Sequence, residues 1–284
     1  MTTSATLRSR IDLPAVLIGG LWGSIAVALW VRGAAPEAAV GASIASVAYV
    51  MAIAFTHIGG RARMLTHYAA VCLMYAASTR LIDALRLSTH EAQLLALDRR
   101  WFGETPSVWL SRTFAPTTND LWSGCYLSYH LYLHWAVIEA LLRSDRWRAR
   151  YGRVVFSTFA IGFAGYFLFP ARGPEVAFPE LYASPIQGGL LTRFNEWVVV
   201  TMASRYDAFP SLHVLVTASL LACDWRWFRT RFWIMALPAA GMMFATLPLR
   251  LHYAADLLAS AVLIGPVLLL TCPRESDDAG PIAT

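Results

Sequence analysis

Two short stretches of the 284-residue chain hold side chains of the kinds that move phosphoryl groups. The first is Tyr206-Asp207-Ala208-Phe209-Pro210-Ser211-Leu212-His213, and the second is Arg250-Leu251-His252-Tyr253-Ala254-Ala255-Asp256. Pro210 suits the first turn of a helix, which puts Ser211 and His213 at a helix N-terminus. There, unsatisfied backbone N–H groups and the helix dipole favour an anion, and the Ser211 hydroxyl adds a donor. His252 and Asp256 stand four apart, so they are expected on one helix face. A carboxylate so placed holds an imidazole in one tautomer and stabilises its cation, which prepares a nucleophile or base. Arg172 in Phe169-Pro170-Ala171-Arg172-Gly173-Pro174, together with Arg250, offers guanidinium forks that fit phosphate oxygens. Each piece alone has an ordinary structural explanation, as an ion pair or a helix cap. Together they form a set for phosphoryl transfer that needs no metal or cofactor.

Such a set works only if helices bring it to one place. Of the residues, 57% are hydrophobic and 14% charged, against about 25% charged in soluble domains. Mean hydropathy is +0.50. These values exclude a disordered chain or a small disulfide scaffold, and they point to an integral membrane protein. A spanning helix needs about 20 mostly apolar residues. The runs 13–31, 38–58, 68–85, 121–142, 154–169, 211–223, 232–247 and 253–270 meet or approach that. The expected fold is therefore an all-α, polytopic transmembrane helix bundle of about eight spans. The runs 154–169 and 211–223 are short, which suits spans whose ends open into a polar cavity.

The net charge is +5, and every one of the 23 basic residues is arginine. With the N-terminus in the cytoplasm, the inner segments hold Arg8, Arg10, Arg61, Arg63, the loop Arg143–Arg153, Arg226, Arg229, Arg231 and Arg274. This is the positive-inside pattern, so the basic charge speaks of topology and not of nucleic acid. It puts both chemical stretches at the outer face, consistent with a bacterial inner membrane. Gly33-Ala34-Ala35 resembles a signal cleavage site, but the preceding run is long for a signal and its removal would spoil the charge pattern. The chain divides into N-terminal helices (1–85), an outer amphipathic segment (86–120), a helical core (121–272) and a cytoplasmic tail (273–284). The outer loop 170–210 belongs to the core, and its aromatic residues suggest a folded cap.

Other polar residues have structural explanations. His130 and His134, beside Tyr126 and Tyr129, are a weak metal signal and are expected to line the cavity, with His130 a candidate substrate contact. His57 and His67 read as interfacial, and Glu139 pairs with Arg143. Tyr206 is close enough to the first stretch to touch substrate, whereas Asp207 reads equally as a cap. Trp225, Trp227 and Trp233 form an inner aromatic belt. The four cysteines lack metal-site or disulfide spacing.

At these residues the chain resembles the type 2 phosphatidic acid phosphatase superfamily, and more closely its inositol phosphorylceramide synthase branch. The second motif of that branch is matched by Phe209-Pro210-Ser211-Leu212-His213, and the third by His252, Tyr253 and Asp256. Asp98-Arg99-Arg100-Trp101-Phe102-Gly103-Glu104-Thr105-Pro106 resembles a further element of the branch. The resemblance covers roughly residues 90–270. It implies a six-helix core in which His252 attacks phosphorus, Asp256 orients it, and His213 protonates the leaving group. Ser211, Arg172, Arg250 and Tyr253 would hold the substrate. Two motifs depart from the superfamily pattern. Gly165 stands where a lysine is usual, with Gly173 after Arg172 in place of proline, and Thr246 replaces an arginine six residues before His252.

The resemblance implies transfer of a phospho-headgroup, such as phosphoinositol, from a glycerophospholipid to a lipid hydroxyl. The close alternative is hydrolysis of a lipid or polyprenyl phosphate. The partners expected are membrane lipids, with no nucleic acid and no protein partner implied. A proton-coupled transporter or flippase using His and Asp as a relay is the reading from another class. It is disfavoured by the few intramembrane acids and the lack of a two-fold repeat. An intramembrane serine protease using Ser211 is disfavoured because the Gly-x-Ser-x-Gly elbow is absent.

Overall fold

A computed structural model describes residues 12–33 and 35–272. Arg8, Arg10, Ala34, Arg274 and the 273–284 tail lie outside the described residues. Each expected apolar segment is a helix, and among the described residues the only β pairing is an isolated bridge between Ala171 and Asp207. In chain order the helices are α1 (Leu13–Arg32), α2 (Pro36–Ala54), α3 (Arg61–Leu85), α4 (Glu91–Phe102), α5 (Pro106–Thr113) and α6 (Asn119–Leu142). They continue with α7 (Asp145–Leu168), α8 (Leu190–Met202), α9 (Leu212–Trp227), α10 (Arg229–Ala245) and α11 (Ala254–Thr271). Four of them, α1, α2, α7 and α11, are long and apolar enough to cross a membrane.

Local chemistry sets several boundaries. Asp12 caps α1 by accepting the Ala15 N–H, and Gly33 ends it in the left-handed region at φ 59°. Segment 86–120 does form two short helices, α4 and α5, and segment 170–210 folds around α8. The first three helices share one apolar core with the rest of the bundle: Ile18, Trp22 and Met74 pack in the same cluster as Phe156, Phe163 and Leu220.

Successive long helices run in opposite directions, so the bundle has two distinct ends. At one, Arg32 donates to the Leu85 carbonyl at 2.6 Å, the His90 N–H to Pro170 at 2.9 Å, and the Tyr206 hydroxyl to Asp83 at 2.6 Å. At the other, Arg61 donates to the Leu141 carbonyl and Arg148 to Gly59 at 2.6 Å. Here a buried network joins α6, α9 and α10. Arg231 donates to Asp224 at 2.5 and 2.7 Å and to Glu139 at 2.6 Å, while Tyr132 donates to Asp224 at 2.7 Å. Glu139 also takes the expected Arg143 partner, at 2.8 Å.

Four expectations need correction. Helix α7 begins at Asp145, not near 154, so Arg146, Arg148, Arg150 and Arg153 ride on its first turns and not in a loop. The apolar run was a poor guide because charged residues continue a helix wherever they can reach solvent or partners. His67 is buried, not interfacial: its Nδ1 meets the Tyr49 hydroxyl at 2.9 Å, and Nε2 lies 3.6 Å from Asp12. Pro210 precedes the cap Ser211 and is not in the first turn of α9. His252 lies outside helix α11, so it and Asp256 do not share a helix face.

Candidate functional site

Ser211 is the N-cap of α9, and its Oγ accepts the Val214 N–H at 3.4 Å. Its own N–H donates to the Ser260 Oγ of α11 at 2.8 Å, and Ser260 donates in turn to the Asp256 carbonyl at 2.8 Å. The start of α9 is thereby tied to the first turn of α11. His252 reaches the same place from a tight turn, in which the Thr246 carbonyl accepts the N–H groups of Leu251 at 3.0 Å and His252 at 3.2 Å.

These elements meet at one atom. His252 Nε2 lies 3.3 Å from Ser211 Oγ and 3.3 Å from His213 Nδ1. Its other nitrogen, Nδ1, lies 3.1 Å from the Ala208 carbonyl and 3.1 Å from Asp256 Oδ1. A carbonyl oxygen only accepts, so the Ala208 contact requires the proton on Nδ1, and a backbone carbonyl shares the orienting task expected of the carboxylate alone. The second oxygen of Asp256 accepts the Tyr253 N–H at 2.8 Å and so caps α11. Burial alone would pull the His252 imidazole down. Asp256, Asp207 and the Ala208 carbonyl outweigh it and hold the ring above its ordinary value. Ser211, Asp256, His252 and His213 are all buried.

The remaining candidates sit further out. His213 Nε2 meets the Tyr126 hydroxyl at 2.9 Å, a partner the sequence did not single out. His130 stacks edge-on with Tyr126 and Tyr129, one ring removed from His213, with a buried Nε2 that has no hydrogen-bond partner among the described residues. Arg172 is committed to Glu91 through Nε at 2.8 Å and through Nη2. Arg250 donates to Glu175 at 2.9 Å and to the Ser184 carbonyl at 2.7 Å, and lies over the Tyr182 ring. Tyr206 is tied to Asp83, and Tyr253 is fully buried among Leu94, Leu95 and Ala171. Asp207 accepts from the Tyr75 hydroxyl at 2.8 Å, and its charge acts on His252.

Both glycine departures have a steric cause. A Cβ at Gly165 would lie 2.1 Å from Pro210 Cδ, so no lysine could grow there without moving the start of α9. A Cβ at Gly173 would lie 2.6 Å from the Leu251 carbonyl oxygen, one residue from His252. Beside the site, a cavity of about 570 Å³ is walled by Phe102, Trp109, Phe244, Leu257 and Leu258, with Ala254 at its edge.

Comparison with known proteins returns no match among curated proteins and none among solved structures. A family model, that of the PAP2 superfamily, matches residues 92–270 and so takes in α4 to α11 and every residue of the site. With more than half of its length matched, the chain belongs to the PAP2 superfamily, whose members are generally phosphatases and phosphotransferases acting on phosphate esters.

Proposed function

We propose that this protein is a lipid phosphotransferase that works through a phosphohistidine on His252. The observation that carries the reading is the convergence of Ser211 Oγ and His213 Nδ1 on His252 Nε2, with Nδ1 already occupied by Ala208 and Asp256. An imidazole whose Nδ1 keeps its proton presents a lone pair at Nε2. That lone pair attacks phosphorus, the N–P bond forms, and the bond to the leaving oxygen breaks. His213, entering the step as the imidazolium, gives its Nδ1 proton to that oxygen and is left neutral, with Nε2 against the Tyr126 hydroxyl. In the second half His213 takes the proton of an acceptor hydroxyl, whose oxygen attacks phosphorus and frees His252. The Ser211 hydroxyl turns to donate to a phosphoryl oxygen, where charge builds in the transition state. At 3.3 Å the two histidines are in hydrogen-bond contact, so a phosphoryl group enters by parting them.

The apolar cavity beside Ala254 suits a hydrocarbon chain, which favours a lipid-borne ester. Burial of the four site residues favours a lipid hydroxyl over bulk water as acceptor, and thus headgroup transfer over hydrolysis. With about eight spans and the arginine-rich end in the cytoplasm, the site faces the outer leaflet. The test is to trap the intermediate with radiolabelled phosphatidic acid and other lipid phosphates. A label stable to base, lost in acid and missing in His252→Ala supports the reading. Labelling that persists in His252→Ala, or no labelling with any lipid phosphate, overturns it.

A further inference from the structure

The Asp98 carboxylate is fully buried, yet no cation is paired with it among the described residues. Its two oxygens accept the N–H groups of Ala255 at 2.7 Å and Ala254 at 3.2 Å. These are the first two residues of α11. They stand between His252 and Asp256, and Asp256 itself accepts the next N–H back, that of Tyr253. Asp98 thus holds the short segment on which the nucleophile and its carboxylate are both mounted. It comes from α4, an amphipathic helix outside the long bundle helices.

We propose that Asp98 is a positioning residue for the His252–Asp256 pair, fixing the first turn of α11 through the Ala254 and Ala255 N–H groups. This rests on the reading of His252 as the nucleophile. A helix end is held well by an anion, because its N–H groups have no partner within the helix. The two N–H groups are taken by separate oxygens, and a neutral amide would offer only one acceptor, so the carboxylate is what satisfies both. Asp256 acts electrostatically on Asp98, and Asp98 acts on the phenols of Tyr182 and Tyr253. Around His252 stand Asp256, Asp207, Ser211 and His213. Burial pushes the Asp98 carboxyl up to about 6, against the pull of the Ala255 and Ala254 N–H groups and with the help of Asp256.

The substitution Asp98→Asn keeps the size, removes the charge and replaces one accepting oxygen by an NH2 that cannot hold a backbone N–H. The full-length protein in detergent, with ring-labelled histidine, gives a readout independent of turnover. The titration midpoint of His252, identified by its loss in His252→Ala, moves down by on the order of half a pH unit. In the same preparation, kcat on a lipid phosphate falls by about 10- to 100-fold while KM stays near wild type. An unmoved midpoint together with wild-type kcat overturns the inference. A shifted midpoint in a protein inactive on every lipid phosphate removes the proposed function and leaves the role of Asp98 standing. If Asp98→Asn does not fold, Asp98→Glu carries the test, because it keeps the charge and displaces it by one methylene. Lowered kcat with an unmoved midpoint then supports positioning, and wild-type kcat overturns it.

Discussion

His252 meets opposing demands. It needs a proton on Nδ1 and none on Nε2, and its surroundings raise its proton affinity. The sign follows directly. In the proposed mechanism the neutral ring is the nucleophile, so kcat/KM falls as pH drops through the raised value. The acidic limb of the pH profile is expected above about 6.5, the ordinary histidine value. A limb at or below that value would remove the influence of Asp256 and Asp207. His252→Ala should abolish turnover while the protein stays monodisperse and helical by circular dichroism. Ser211→Ala should lower kcat by about 100-fold, as loss of a donor to a developing phosphoryl charge does elsewhere. An unchanged kcat would reduce Ser211 to a helix cap.

Close approach of α7 to the start of α9 makes the site possible. Gly165 and Gly162 provide it: a Cβ on the latter would lie 2.2 Å from Leu212 Cδ2. Restoring the superfamily lysine with Gly165→Lys should therefore not raise activity. It should destabilise the protein by about 1–3 kcal/mol through overpacking against Pro210. Thermal unfolding in detergent measures this, and a melting temperature at or above wild type would contradict it. Helix α4 serves the site in the same spirit, because its position decides where Asp98 meets α11.

Across the whole molecule, the two ends do different work. The end opposite the site is locked by Arg231, which is buried against Asp224 and Glu139. Arg231→Ala leaves a buried carboxylate without its cation and should cost about 3–5 kcal/mol of stability. Because the site lies at the other end, the fraction that stays folded should keep the wild-type pH profile. The membrane orientation is tested with a cysteine at the exposed Gln187 in a background lacking the four native cysteines. An impermeant maleimide should label it in intact cells. Labelling only after permeabilisation would put the site end in the cytoplasm.

The helical membrane class, the location of every long helix and the two stretches that meet in the site were all legible in the chain. Hydrophobic runs and motif spacing are local properties, written along consecutive residues. What the tertiary structure alone decided is where distant residues meet. Ser211 and His252 are 41 residues apart, and Asp98 and Ala254 are 156 apart. No period or run of residues encodes such contacts, which depend on how closely helices approach and which polar groups are left to satisfy. For this reason the contacts of the Ala208 carbonyl and Tyr126 carried no signal, and Asp98 and Asp207 stood out in the chain without the contacts they make. For the same reason Arg172 and Arg250, which read as free phosphate forks, are already engaged by Glu91 and Glu175.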